Sequence, residues 1–207
     1  MNKQALDILA DAISDVGAWQ WWHVKDDMLQ LEFCDVQLYD ASKPEREPHT
    51  TDAIAVRFFG SSFAVFLDDL EENAEKPWYE RLSDDEIPPF ACDAYELKFD
   101  DPEYAQEVYD GYRNQTPVTP FDGRKTLNSA AHLIAARCGL VGVVAGGDRI
   151  GVIGKNGPIP EEEIEPLARK WWEYWKTYWR LRGTHDALAK DRACEVTIPV
   201  APEGTGE

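Results

Sequence analysis

The chain of 207 residues predicts an α+β fold: a mostly antiparallel sheet built from hairpins and covered by helices. Three observations carry this. Short apolar segments alternate with period two between turn residues, helical periodicity is kept apart from them, and a long Trp-rich helix closes the pattern. That last run, PLARKWWEYWKTYWRLR at 166–182, holds four tryptophans and two tyrosines. Ile164, Leu167, Ala168, Trp171, Trp172, Tyr174, Trp175, Tyr178, Trp179 and Leu181 fall on one half of its helical wheel, and nearly all the charges fall on the other. Glu161, Glu162, Glu163 and Glu165 precede the run while Lys176, Arg180 and Arg182 close it, as the helix dipole favours. Pro166 forbids a regular helix interior, so the helix is expected to start near it or to kink after the acidic turn.

Taken in order, residues 2–14 predict a helix with Leu6, Leu9 and Ile13 as its buried stripe. Residues 18–24 and 28–33 flank the polar turn Lys25-Asp26-Asp27 as a first hairpin. Leu29, Leu31 and Phe33 alternate, but Val36 and Leu38 continue on the opposite parity, so a bulge is expected near Cys34 and Asp35. Residues 40–51 read as an exposed loop. A second hairpin joins 52–59 to 62–69 through Gly60-Ser61, and 70–93 reads as an irregular acidic excursion. Tyr95, Leu97 and Phe99 mark a further strand, and Asp101-Pro102 is an N-cap followed by a first-position proline. The helix it starts carries Tyr104, Ala105, Val108, Tyr109 and Tyr112. After a loop over 113–123, residues 126–138 predict a helix with Leu127, Ala131, Ile134 and Cys138 on one face. Residues 140–145 and 149–154 surround Gly146-Gly147-Asp148, the strongest hairpin signal in the chain. Cys194, Val196, Ile198 and Val200 predict an edge strand limited by Pro199. The expected organisation is one domain over 1–200 and a flexible tail over 201–207.

Charge is the most pronounced global property, with a formal net value of -18. Residues 51–110 carry seventeen acids and four bases, whereas 111–158 carry two acids and six bases. Such a field repels nucleic acids and anionic membranes, so neither is an expected direct partner. There is no apolar run of spanning length and no signal-like start, because Asp7, Asp11 and Asp15 interrupt the first apolar stretch. Cys34, Cys92, Cys138 and Cys194 lie far apart, which predicts reduced thiols in a cytoplasmic protein.

Chemical motifs are sparse. The run GGDRIGVIGKNG at 146–157 fails as a phosphate loop, since Arg149 stands where the first glycine is needed and Asn156 replaces the Ser or Thr. Gly151 and Gly154 instead suggest a side chain, such as a C-terminal tryptophan, lying close over the backbone. His23, His49, His132 and His185 stand alone, and no metal or cofactor is predicted. Cys34 beside Asp35 sits in acidic surroundings, which disfavour a thiolate.

These features favour a non-enzymatic protein-binding module of accessory, inhibitory or immunity type, acting on a basic protein partner. Its contact would use Asp84, Asp85, Glu86, Asp93, Asp100, Asp101, Glu103 and Glu107, because residues 67–110 set sixteen acids against three bases. One alternative is a DNA mimic that inhibits a nucleic-acid-binding protein. Another is a carboxylate-dependent hydrolase with a pocket formed by Trp21, His23, Asp68, Tyr95 and Asp100, in which Asp68 and Asp100 supply the carboxyl pair. A third is a structural dimerisation module, because the aromatic stripe of the last helix is wider than one sheet contact needs and could meet a second subunit as a homo-oligomer.

Overall fold

The computed structural model describes residues 1–14, 18–25, 28–44, 48–60, 63–68, 92–93, 96–118, 130–138 and 141–181. Its elements are α1 (Lys3–Ser14), β1 (Ala18–Lys25), β2 (Met28–Tyr39), β3 (Thr50–Phe59), β4 (Phe63–Asp68), β5 (Cys92–Asp93), β6 (Glu96–Phe99), α2 (Pro102–Asp110), β7 (Asn114–Val118), β8 (His132–Cys138), β9 (Val141–Gly147), β10 (Arg149–Gly154), β11 (Gly157–Ile159) and α3 (Glu161–Leu181). The class is α+β, and every strand pair among the described residues is antiparallel. There are two sheets where one was expected. A six-stranded sheet has the order β11-β10-β3-β2-β1-β5, and a five-stranded sheet has the order β6-β8-β9-β4-β7.

One core fills the space between them. Leu31, Phe33, Ile54, Val56 and Phe58 from the first sheet meet Phe99, Ile134, Val143 and Ala145 from the second, all essentially inaccessible to water. Helix α1 adds Leu6, Leu9 and Ile13 to the same core, and α3 adds Ile164 and Ala168. The Asn2 side chain caps α1 by accepting from the Ala5 amide at 2.9 Å. A second, smaller cluster lies on the outer face of the five-stranded sheet, where Tyr104, Ala105 and Val108 of α2 cover Leu67, Ala135 and Val144.

The β1–β2 hairpin forms as its turn predicts, with Lys25 opposite Met28. The change of side near Cys34 is also present. Asp35 adopts φ 55°, so Leu29, Leu31 and Phe33 before it and Val36 and Leu38 after it all reach one core. The other two expected hairpins are corrected. β3 pairs with β10, and β4 pairs with β9. At Gly60 and at Gly147-Asp148 the chain passes from one sheet to the other without turning back. The glycines there permit close approach of backbone, since a Cβ on Gly146 would lie 2.5 Å from the His132 carbonyl oxygen and one on Gly147 would lie 3.0 Å from that of Phe59. The Asp148 amide donates to both the Phe59 and Gly60 carbonyls, at 2.9 Å each, and ties the two crossings together.

Three further expectations change. Residues 132–138 form β8, not a helix, because Ile134 faces the core while Ala135 faces α2, a period of two. Residues 114–118, expected as loop, form β7 at a sheet edge, a position where Pro117 needs no amide. Helix α3 begins at Glu161, so Pro166 lies inside it; Glu162 and Pro166 are both exposed, and water can serve the carbonyl that the proline leaves without a donor. The neighbours of Gly151 and Gly154 are Phe59 and Ile159, not a tryptophan. The expected strand at 194–200, the tail at 201–207 and most of the excursion at 70–93 lie outside the described residues.

Replacement of Gly146 by alanine forces the new methyl group against backbone on β8. Gly146→Ala is expected to lose about 1–3 kcal/mol in urea unfolding. Gly151→Ala, whose added Cβ meets only Phe59 at 3.6 Å, is expected to change stability far less.

Candidate functional site

Asp101 starts α2 because its Oδ1 accepts the Tyr104 amide at 2.9 Å, and Pro102 follows with no amide of its own to satisfy. That hydrogen bond holds the Asp101 carboxyl below its ordinary value of 3.8, with Lys98 assisting from 3.6 Å. One residue earlier the chain bends through Asp100, at φ 48°. The bend is secured from β8: Asp100 Oδ1 accepts the Leu133 amide at 2.8 Å, Oδ2 meets His132 Nδ1 at 2.9 Å, and the Asp100 amide donates to the Leu133 carbonyl at 3.0 Å. Both carboxyls therefore serve the β6–α2 corner.

The other face of α2 is different. Glu103, Gln106, Glu107 and Asp110 are all exposed, at the spacing that places them along one side of a helix. Glu107 meets Arg137 at 3.1 Å, and Asp110 accepts from the neutral Gln106 amide at 2.9 Å. Glu103 and Asp110 have no cationic partner among the described residues. Below this ridge the Tyr104 hydroxyl meets Glu96 Oε2 at 3.1 Å; burial first, and Glu96 second, push its phenol well above the ordinary range. Of the acids expected at a docking surface, Asp100, Asp101, Glu103 and Glu107 thus gather at one helix. Asp93 lies in β5, backbone-paired with Ala18, and Asp84, Asp85 and Glu86 lie outside the described residues.

Of the residues expected to form a hydrolase pocket, four lie on described backbone. Asp100 follows Phe99, whose row runs through Ile134 and Ala145 to Ala64. Asp68 stands at the far end of β4, opposite Val141. Strand rise separates those two backbone levels by roughly 15 Å. Trp21 and His23 occupy β1, in register with Glu32 and Gln30. Tyr95 lies outside the described residues.

That register leads to a group that sequence reasoning missed. Gln30, Glu32 and Arg57 are buried on the face of the six-stranded sheet turned away from the main core. Gln30 Nε2 donates to Glu32 at 2.6 Å, and Arg57 Nε donates to Gln30 Oε1. Burial lowers the Arg57 guanidinium from its ordinary value, and Glu32 opposes that shift. A signal was available, since Arg57 is the lone charge within the apolar run AIAVRFF. Among the described residues no three His, Cys, Asp or Glu side chains gather as a metal site.

On α3 the aromatic half-wheel divides. Trp171 is buried and donates from Nε1 to Thr50 Oγ1 at 3.0 Å, and Trp175 stacks on it with centroids 5.1 Å apart. Tyr174 packs edge-on against the stacked pair Tyr39 and His49. Trp172 is 46% exposed. No helix among the described residues is long and apolar enough to cross a membrane.

Comparison with protein-family models, with curated proteins and with solved structures finds no match to this chain. The geometry therefore has to carry the functional reading. It supplies an exposed carboxylate ridge on α2, a buried polar row on the six-stranded sheet and an exposed tryptophan on α3.

Two outcomes follow from the site. Asp101 has a depressed carboxyl pKa, so its share of stability is complete above the unfolded value of 3.8 and is lost as pH falls through its folded value. Asp101→Asn keeps a cap but cannot titrate, and its acid-unfolding limb is expected to be flatter than that of the parent. Arg57→Met removes the cation facing Glu32 and is expected to cost about 3–5 kcal/mol in chemical denaturation.

Proposed function

We propose that the protein is a non-catalytic accessory or inhibitory module of immunity type that binds a basic protein through the exposed face of α2. The observation that carries this reading is the ridge of Glu103, Glu107 and Asp110 on a capped helix, with Arg137 meeting Glu107. Asp100 and Asp101 contribute by fixing the start of that helix. In sequence, residues 67–110 set sixteen acids against three bases, a charge excess of the kind that accelerates encounter with a basic surface and orients it. The ridge is a single row of carboxylates about 10 Å long. A duplex mimic needs two such rows, and the described residues supply one, which favours a protein-docking surface over imitation of DNA. On this reading the module works in the cytoplasm, where the buried Cys34 stays a thiol.

Affinity capture from the source lysate, at low and at high salt, tests the reading when the parent is run beside Glu103→Lys/Asp110→Lys. A basic protein retained at low salt by the parent, but lost at high salt and on the variant, is the expected result. Equal retention by parent and variant would remove α2 from the contact.

A further inference from the structure

The exposed side of α3 carries a short palindrome. Glu165, Arg169, Trp172 and Lys176 recur at intervals of four, three and four, so they form one stripe along the helix. All four are solvent-accessible, and Trp172 is the one large hydrophobic side chain among the described residues that stands exposed. Arg169 donates to Glu165 one turn back on its own helix, and the other Glu165 oxygen accepts from Gln4 at the edge of α1.

We infer that this stripe is a homodimer contact, occupied by α3 of a second copy running antiparallel. Two antiparallel helices in contact place residue i of one opposite residue j of the other with i + j constant. The stripe satisfies that relation at both of its pairs, because 165 + 176 and 169 + 172 give the same sum. A two-fold axis between residues 170 and 171 then sets Glu165 opposite the second copy's Lys176, and Trp172 opposite its Arg169. The same contacts repeat on the other side of the axis, as an isologous interface requires. One pair is a salt bridge, and the other places a guanidinium over an indole face. Residues 170 and 171 also fall at the centre of the helix, so both copies overlap along its whole length of about 30 Å. The occupant is specified by this charge pattern: a parallel arrangement would set Glu165 against Glu165 and Lys176 against Lys176.

Sedimentation equilibrium over a concentration series tests the contact, with circular dichroism confirming that each variant folds. The parent is expected to approach twice its chain mass of 23.5 kDa. Glu165→Lys and Lys176→Glu each create a like-charge pair and are expected to shift the protein to monomer. The double variant Glu165→Lys/Lys176→Glu restores opposite charges across the axis and is expected to dimerise again. Trp172→Ala should weaken association at least tenfold with the folded monomer intact. A parent that is monomeric at every concentration overturns the inference. So do single reversals that leave the dimer unchanged, and so does a double variant that stays monomeric.

Discussion

The hydrogen bonds of the Asp148 amide to the Phe59 and Gly60 carbonyls hold together the feature on which the fold turns. At that point two segments leave the six-stranded sheet side by side and enter the five-stranded one. Each keeps the other as its ladder partner: Arg149 is opposite Phe59 before the corner, and Gly146 is opposite Phe63 after it. A pair of strands that bends in this way forces two sheets to face each other from a single ribbon. The enclosed space is where Phe33, Phe58 and Phe99 meet. A side chain larger than hydrogen at 147 would press on the Phe59 backbone and push the crossing chains apart, and one at 146 would press on β8 beside the corner.

The two sheets leave openings that helices close. α1 inserts Leu6, Leu9 and Ile13 among the core residues, and α3 lies beside it with Ile164, Ala168 and Trp171 inward. The N-terminus and α3 are joined at the surface as well, through Asn2 with Glu161 and Gln4 with Glu165. Helix α2 covers the other side of the five-stranded sheet, and this placement is what turns its carboxylates outward. The acidic ridge is therefore a consequence of layer order. Apolar positions 104, 105 and 108 are claimed by the sheet, and only 103, 106, 107 and 110 remain for solvent.

Local elements were legible wherever one signal dominated. Alternation and a polar turn identified β1 and β2, the parity change at Cys34 and Asp35 identified a real reversal of side, and Asp101-Pro102 identified the start of α2. Partner choice was not legible. Gly60 and Gly146-Gly147 read as hairpin turns because a turn and a close backbone crossing both require the absence of a Cβ. Residues 132–138 illustrate a second limit: Leu133, Ile134, Ala135 and Ala136 are all buried, and an apolar run covered on both faces has no period to read. The buried Gln30, Glu32 and Arg57 escaped because their importance comes from three-strand register. Charge density singled out Asp100, Asp101, Glu103 and Glu107 alike, whereas the structural duties of Asp100 and Asp101 at the corner required coordinates.

A chain of net charge -18 should resist meeting its own copies, since self-repulsion rises with the square of charge. Screening limits that repulsion to about 8 Å at physiological ionic strength, so the sign of the charge at the contact matters more than the sum over the molecule. Along the exposed stripe of α3 the balance is one acid against two bases. This stripe is a locally basic strip with an indole at its centre on an otherwise acidic protein. Another copy can approach there without bringing acids against acids. The division also gives three of the four tryptophans of α3 a place: Trp171 and Trp175 meet the needs of the fold, and Trp172 is left for association.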